Sequence, residues 1–372
     1  MYKRFCLLIS MFIFIAGCGV SSSGAKSPKN IILFIGDGMG PAQITLARIS
    51  KAGKNSKLEM DSLKYGGLIH SRSADSLITD SAAAATALAT GYKTNNGMIS
   101  TLPNGKVVKN ILEAAKAMGK SVGLVTNTTV THATPACFGS HVPSRASEAD
   151  IAPQYINKDI EVIMGGGLGY FIPSSAKGSY RKDSKDLIAA AKAKGYFIAL
   201  DKSSMESASS KKLIGLFEID ALTTNVPEPS LRDMAVKAVQ ILRKDPDGFF
   251  LMIEGGQIDW RNHANDAPGM IKQLYDFDKA IGDVLKSARI NGDTLIIVTA
   301  DHESGGLTIC DPDAGTKDAY KAKWATGGHS GVDLPILAEG PGAELFTGIK
   351  DNTQIPINIA KLWKIKGFPS AR

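Results

Sequence analysis

The sequence predicts an α/β fold, on three observations. Six continuous apolar runs have the length of strands buried on both faces, and amphipathic helical patterns lie between them. The third is that several charged residues fall just past the carboxyl ends of those runs, where open α/β sheets bind ligands. The runs cover 30–35, 121–126, 161–164, 249–253, 294–299 and 334–338. Of the helical patterns, Ile271, Leu274, Ile281 and Leu285 mark one apolar face, and Met234, Ala238 and Ile241 another; both read as core contacts. Residues 203–212, rich in Ser and Lys, read as an exposed connection. Gly165-Gly166-Gly167-Leu168-Gly169 reads as a strand-to-loop turn; it opens no helix, so no dinucleotide cofactor is assigned. No charge block, proline-rich linker or repeat divides the chain, and 30–372 is expected to be one catalytic domain.

The first residues read as a targeting signal. Lys3 and Arg4 precede an apolar segment, 5–15, that is too short to span a bilayer. Ile15-Ala16-Gly17-Cys18 resembles a bacterial lipobox, which implies a signal peptide over 1–17, a lipid on Cys18 and a flexible tether over 18–29. A plain secretory signal is the simpler alternative. The small residues before Cys18 and the Gly/Ser-rich stretch after it favour a lipoprotein, exported and facing the periplasm or cell surface. The formal net charge is +7, or +5 without Lys3 and Arg4, and it is scattered. That suits solubility and weak steering of anions and excludes a nucleic-acid stripe. Beyond Cys6 and Cys18 only Cys137 and Cys310 remain, as a disulfide or as two free thiols.

Thr79-Asp80-Ser81 runs into Ala82 to Ala85, which places a hydroxyl in the first turn of a strongly helix-forming segment with Asp80 as its cap. A helix N-terminus is a seat for an anion, although a lone capped helix would be ordinary surface. Asp37, in Gly36-Asp37-Gly38, would repel a pyrophosphate unless a cation intervened; alone it could be a turn cap. Asp259 and His263 are four apart, so one helical turn carries both, with Glu254 upstream at a strand end. Carboxylate with imidazole suits zinc. Asp301-His302 at another strand end is an unusual place for charge without a metal, and His329 adds an imidazole in a glycine-rich loop.

Ile35 to Gly40, Thr79 to Ala83, Ala133-Thr134-Pro135 through Arg145, Glu254 to His263, and Ala300-Asp301-His302 occur, in this order and closed by His329, as in the alkaline phosphatase family, which the chain resembles from about residue 30 to about 340. The resemblance implies a three-layer α/β/α sandwich around a large, mostly parallel sheet. It implies a phosphomonoesterase with two zinc ions and one magnesium ion acting on small phosphate monoesters. Asp259, His263 and His329 would hold the first zinc; Asp37, Asp301 and His302 the second; Asp37, Thr134 and Glu254 the magnesium. Ser81 would be the nucleophile, passing through a phosphoserine, and Arg145 the phosphate ligand.

His132 and Trp260 stand where the best-known enterobacterial pattern has Asp and Lys, which implies mixed magnesium and zinc at the third site and weaker phosphate binding. His70 and His141 read as structural. Only 26 residues separate His302 from His329, so a crown insertion is small or absent and a homodimer stays open. A sulfatase motif is lacking after Ser81. A phosphodiesterase of the same superfamily commonly uses Thr and lacks the arginine. A non-catalytic phosphate-binding surface lipoprotein leaves the metal ligands unexplained.

Overall fold

The computed structural model describes residues 27–53, 55–312 and 320–371. The signal segment 1–17, Cys18 and the expected tether up to residue 26 lie outside the described residues. Residues 27–29 are packed: Pro28 is buried, Trp363 Nε1 donates to its carbonyl at 2.8 Å, and Ser27 Oγ donates to Leu362 O at 2.9 Å.

All six apolar runs are strands. In chain order the strands are β1 (Asn30–Gly36), β2 (Tyr65–His70), β3 (Ser121–Thr129), β4 (Val162–Gly166), β5 (Phe197–Ala199), β6 (Leu213–Leu216), β7 (Phe249–Gly255) and β8 (Thr294–Thr299). They continue with β9 (Glu303–Ser304), β10 (Leu307–Cys310), β11 (Lys321–Trp324), β12 (His329–Ser330), β13 (Leu334–Glu339) and β14 (Gly348–Asp351). The helices are α1 (Pro41–Ala52), α2 (Ser81–Thr90), α3 (Ile111–Lys116), α4 (Ala133–Gly139), α5 (Glu148–Asn157), α6 (Leu187–Ala193), α7 (Lys202–Ser207), α8 (Leu231–Leu242), α9 (Gln257–His263), α10 (Ala267–Asn291) and α11 (Gln354–Leu362).

Ten strands form the central sheet, in the order β14-β2-β13-β8-β1-β7-β3-β4-β6-β5. Only β13 runs antiparallel to its neighbours in that sheet, so it is mostly parallel, with β1 at its centre between β7 and β8. Helices cover both faces, as strand parity shows. Phe250 of β7 stacks on Phe138 of α4 at 6.0 Å between rings. Phe34 of β1 pairs in register with Ile253, which has the opposite parity, and meets Phe277 of α10 at 5.8 Å. Every residue of β1, β3, β7 and β8 is buried, which is why these strands read as unbroken apolar runs. The named faces of α8 and α10 are buried as expected.

The stretch 203–212 differs from the expectation. It contains most of α7, whose capping box pairs the Asp201 side chain with the Ser204 amide and Ser204 Oγ with Asp201, and Met205 anchors it in the core. Between His302 and His329 the described residues carry only β9 and the β10–β11 ladder. No described helix is long and apolar enough to cross a membrane. Cys137 and Cys310 are both free, and the buried Cys137 thiol donates to Ala82 O at 3.2 Å.

Candidate active site

Adjacent parallel strands deliver their carboxyl ends to one edge of the sheet, and that edge gathers the charged residues. Asp37 follows β1, Glu254 lies near the end of β7, and Asp301 and His302 follow β8. The loop after β1 must then turn sharply against α9. Gly38 does this at φ +70, where a Cβ would stand 2.9 Å from both Asp259 Cα and Ser304 Oγ. Asn262 Nδ2 donates to Gly38 O at 2.9 Å and ties the two elements together.

Ser81 opens α2, where Asp80 caps the Ala83 amide at 2.9 Å. The helix is no surface element: all ten of its residues are buried, and its alanines let neighbours approach closely. Ser81 Oγ lies 3.1 Å from His302 Nε2, and the same nitrogen is 3.2 Å from Asp37 Oδ1 and 3.3 Å from Asp301 Oδ2. On the other side, Asp259 Oδ2 is 3.2 Å from His263 Nε2, which is 3.2 Å from His329 Nε2. Arg145 reaches in between Asp80 Oδ2, 3.0 Å from its Nη1, and His132 Nε2, 3.1 Å from its Nη2. Trp260, 39% exposed, sets its ring edge-on to His132 at 6.1 Å.

Among the described residues, three groups bring ligand atoms within metal-binding reach of one another: Asp37, Asp301 and His302; Asp259, His302 and His329; and Asp37, His132 and Glu254. The first of these is the expected second-zinc set. In the next, His302 joins Asp259 and His329, while the expected His263 stands at its rim. In the last, His132 joins Asp37 and Glu254, with Thr134 nearby on α4. His141 pairs with Glu113 and His70 with Asp333, away from all three groups.

The donor chemistry asks for cations. Both oxygens of Asp37, Asp301 Oδ2, Glu254 Oε1, Thr134 Oγ1 and His132 Nδ1 are buried with no hydrogen-bond partner, an arrangement costly for polar atoms unless an ion meets them. Burial, then the charges of Asp301, Asp259 and Glu254, push the Asp37 carboxyl well above its ordinary range. Burial likewise raises Glu254 and Asp301 to about 7. Asp259 goes the other way, because hydrogen bonds from His263 and Ser304 and the nearness of His302 outweigh its burial. Burial lowers His302 to about 4 and, with Arg145, His132 to about 3, so both are neutral imidazoles with lone pairs to offer. The Asp259 hydrogen bond raises His263 to about 9. These residues fit divalent metal ions.

A family model described as alkaline phosphatase matches residues 28–323. The chain belongs to the alkaline phosphatase family. It is 32% identical to alkaline phosphatase 3 of Bacillus subtilis, over 90% of this chain and 88% of that one, and 34% identical to alkaline phosphatase 4 of the same organism, over 90% and 89%. The solved alkaline phosphatase of the Antarctic bacterium TAB5 superposes with a TM-score of 0.84 at 38% identity, covering 92% of this chain and 99% of that one. Variants of that enzyme with a histidine changed to aspartate or glutamate are described with magnesium bound in the M3 site. Membership makes this chain a phosphomonoesterase, and its ligand clusters are places for divalent metals.

Five supporting residues, Thr126, Thr128, Gln43, Glu303 and Ser304, were not foreseen in the sequence. Thr126 and Thr128 donate to Glu254 Oε2, Gln43 Nε2 donates to Glu303 Oε1 at 2.6 Å, and Ser304 bonds Asp259 and His302. The threonines lie on β3 beside Glu254, so alternation along that strand is the signal that could have found Thr126 and Thr128.

Proposed function

We propose that the site hydrolyses phosphate monoesters through a phosphoserine formed on Ser81, with two zinc ions and a third divalent ion held around it. The observation that carries this reading is the Ser81 hydroxyl, buried at the start of α2 and 3.1 Å from His302 Nε2, where Asp37 and Asp301 converge. A serine hydroxyl is a weak nucleophile and needs such neighbours. Asp259, His263 and His329 would hold the first zinc; Asp37, Asp301 and His302 the second; Asp37, Thr134 and Glu254, with His132 beside them, the third ion. Bound there, the ions supply Lewis-acid stabilisation to the oxygens that enter and leave phosphorus.

The side chains do the rest. Ser81 Oγ forms the new P–O bond in line as the alcohol oxygen departs. A water then displaces Ser81 from the vacated side, releasing inorganic phosphate with net retention at phosphorus. Arg145 takes two phosphate oxygens in its planar fork, while Asp80 orients the guanidinium and caps α2. The N-terminal turn of α2 adds its partial positive charge.

His132 offers an imidazole where a carboxylate would favour magnesium, so the third ion is proposed to be magnesium or zinc. The magnesium-bound carboxylate variants of the Antarctic enzyme support giving that choice of residue weight. Trp260 sets an apolar ring, not a cation, beside the phosphate, which favours early product release. The decisive experiment is acid-quench trapping of phosphoenzyme during turnover of an aryl phosphate, with and without chelator. A chelator-sensitive phosphoserine at Ser81 is expected; turnover with no phosphoenzyme refutes the reading.

The chain is proposed to be exported and anchored through a lipid on Cys18. Cys18→Ser should then leave active enzyme in the soluble fraction. Retention of that variant in membranes refutes the anchor.

A further inference from the structure

Each of the three histidines near Asp259 is held at Nδ1, but not by the same kind of partner. His263 Nδ1 lies 2.6 Å from Gly327 O, and His329 Nδ1 lies 2.8 Å from Thr79 O. A carbonyl oxygen only accepts, so both Nδ1 atoms carry a hydrogen, which leaves Nε2, the nitrogen turned toward Asp259, as each ring's nitrogen for a metal. His302 has no carbonyl at Nδ1. Its neighbour there, at 3.2 Å, is Ser304 Oγ, a group able either to donate or to accept.

A proton count decides which. The same Ser304 Oγ also hydrogen-bonds Asp259 Oδ1, and an ionised carboxylate can only accept. The single hydroxyl hydrogen is thereby committed to Asp259, which leaves Oγ to accept from His302 Nδ1–H. His302 Nε2 then carries the lone pair and points it at Ser81, Asp37 and Asp301. We infer that Ser304 is a positioning residue whose one hydroxyl fixes the tautomer of His302 and the orientation of Asp259, aligning ligands of two neighbouring metal clusters.

The backbone makes that hydroxyl immobile. Ser304 lies on β9, which pairs with β12 so that Ser304 faces His329 and Glu303 faces Ser330. Side chains alternate along a strand, so Glu303 points away from the metal ligands. Its buried carboxylate accepts from Gln43 Nε2 at 2.6 Å, from the Gly306 and Leu307 amides at 3.1 Å each, and from Ser330 Oγ. Gly40 leaves room for this carboxylate: a Cβ there would stand 2.3 Å from Glu303 Cγ. Glu303 thus locks α1, β9, β10 and β12 together, and Ser304 transmits that rigidity to Asp259 and His302.

This inference rests on reading the clusters as the metal sites of the phosphomonoesterase. The test is Ser304→Ala in the full-length enzyme, compared with the parent in three ways: zinc affinity by competition with a chromophoric chelator, the visible spectrum of the cobalt-substituted protein, and the melting temperature of the metal-free protein. Loss of such an outer hydrogen bond typically weakens metal binding about 10–100-fold. A loss of that order, an altered cobalt spectrum and an unchanged metal-free melting temperature are expected, with kcat falling more than KM rises. Parental zinc affinity and cobalt spectrum in Ser304→Ala would overturn the inference and leave the phosphatase reading intact. A metal-free melting temperature lowered as much as that of the zinc form would assign Ser304 to packing and overturn it too. A parent enzyme that binds no zinc while hydrolysing aryl phosphate would remove the metal reading itself, and the inference with it.

Discussion

The two ends of the central sheet hold charge in opposite ways. At the amino end of β8 a cavity of about 610 Å³ opens, lined among others by Lys64, Arg289 and Glu339. Its charges are spoken for. Arg289 donates twice to Glu339, at 2.8 Å each, and also to Ser62 O, while Lys64 stands 3.8 Å from the same carboxylate. At the carboxyl end of the same strands, both oxygens of Asp37 and single atoms of Asp301, Glu254, Thr134 and His132 are buried without partners. The cavity is chemically finished and the carboxyl end is not. Unsatisfied polar atoms mark a site that a cavity alone does not, because they bear a desolvation cost until a ligand arrives.

Substitutions at the carboxyl end should therefore be costly in activity. The largest effect is expected from Ser81→Ala, with a fall in kcat of several orders of magnitude, as when a covalent nucleophile is removed, and with metal content and phosphate binding retained. Metal analysis beside single-turnover kinetics checks this. A parental burst from that variant would mean another group attacks phosphorus. Next in size is Arg145→Ala. A charge-assisted, bidentate contact contributes about 1.5–3 kcal/mol, so phosphate and monoester affinity should fall roughly ten- to a hundredfold. A diester presents one fewer charged oxygen and should lose less. Equal losses on both substrates would make Arg145 merely the structural partner of Asp80, to which it is bonded at 3.0 Å. A smaller effect is expected from His132→Asp, which replaces a buried imidazole by hard oxygen and should shift the third cluster toward magnesium. Titrating metal-free protein with each ion measures the shift; an unchanged preference would show that His132 serves Arg145 alone.

The same contrast explains what was legible in the sequence. β1, β3, β7 and β8 are buried on both faces, and along most of their length apolar residues fill that environment, so they stand out as runs; polar exceptions such as Thr126, Thr128 and Glu254 gather at the carboxyl end. Asp37 and Asp301-His302 stand out because charge directly after such a run is improbable without a partner. Strands toward the two margins of the sheet, such as β2 and β5, are less tightly constrained. β2 begins Tyr65-Gly66-Gly67 and is mostly exposed, β5 has three residues, and neither pattern differs from loop. α7 is hidden by composition, since Ser and Lys suit a connection as well as a short helix until the Asp201 cap is seen against Ser204. Ser304 is hidden for a different reason. Its role depends on two acceptors, Asp259 and His302, that converge only in three dimensions, so nothing local marks it.

The sharpest control is at the other end of the sheet. Glu339 is held below its ordinary carboxyl range by the Arg289 hydrogen bonds, so its pairing stabilises the fold above the unfolded value near 4.3 and is lost as pH falls through the lower, folded value. Arg289 is 41% exposed, and water screens such a pair, which limits its contribution to at most about 1 kcal/mol. Glu339→Gln is accordingly expected to lower denaturation stability slightly at neutral pH, to lose that difference as pH falls through the lowered folded value, and to leave kcat, KM and metal content at parental values. Chemical denaturation at neutral and acid pH, with kinetics alongside, measures all of this. A change in kcat or metal content would mean that β8 and β13 carry strain from this cavity to Asp301 and His329 through the sheet. The two ends would then be one coupled device, and the contrast between a finished cavity and an unfinished site would fail.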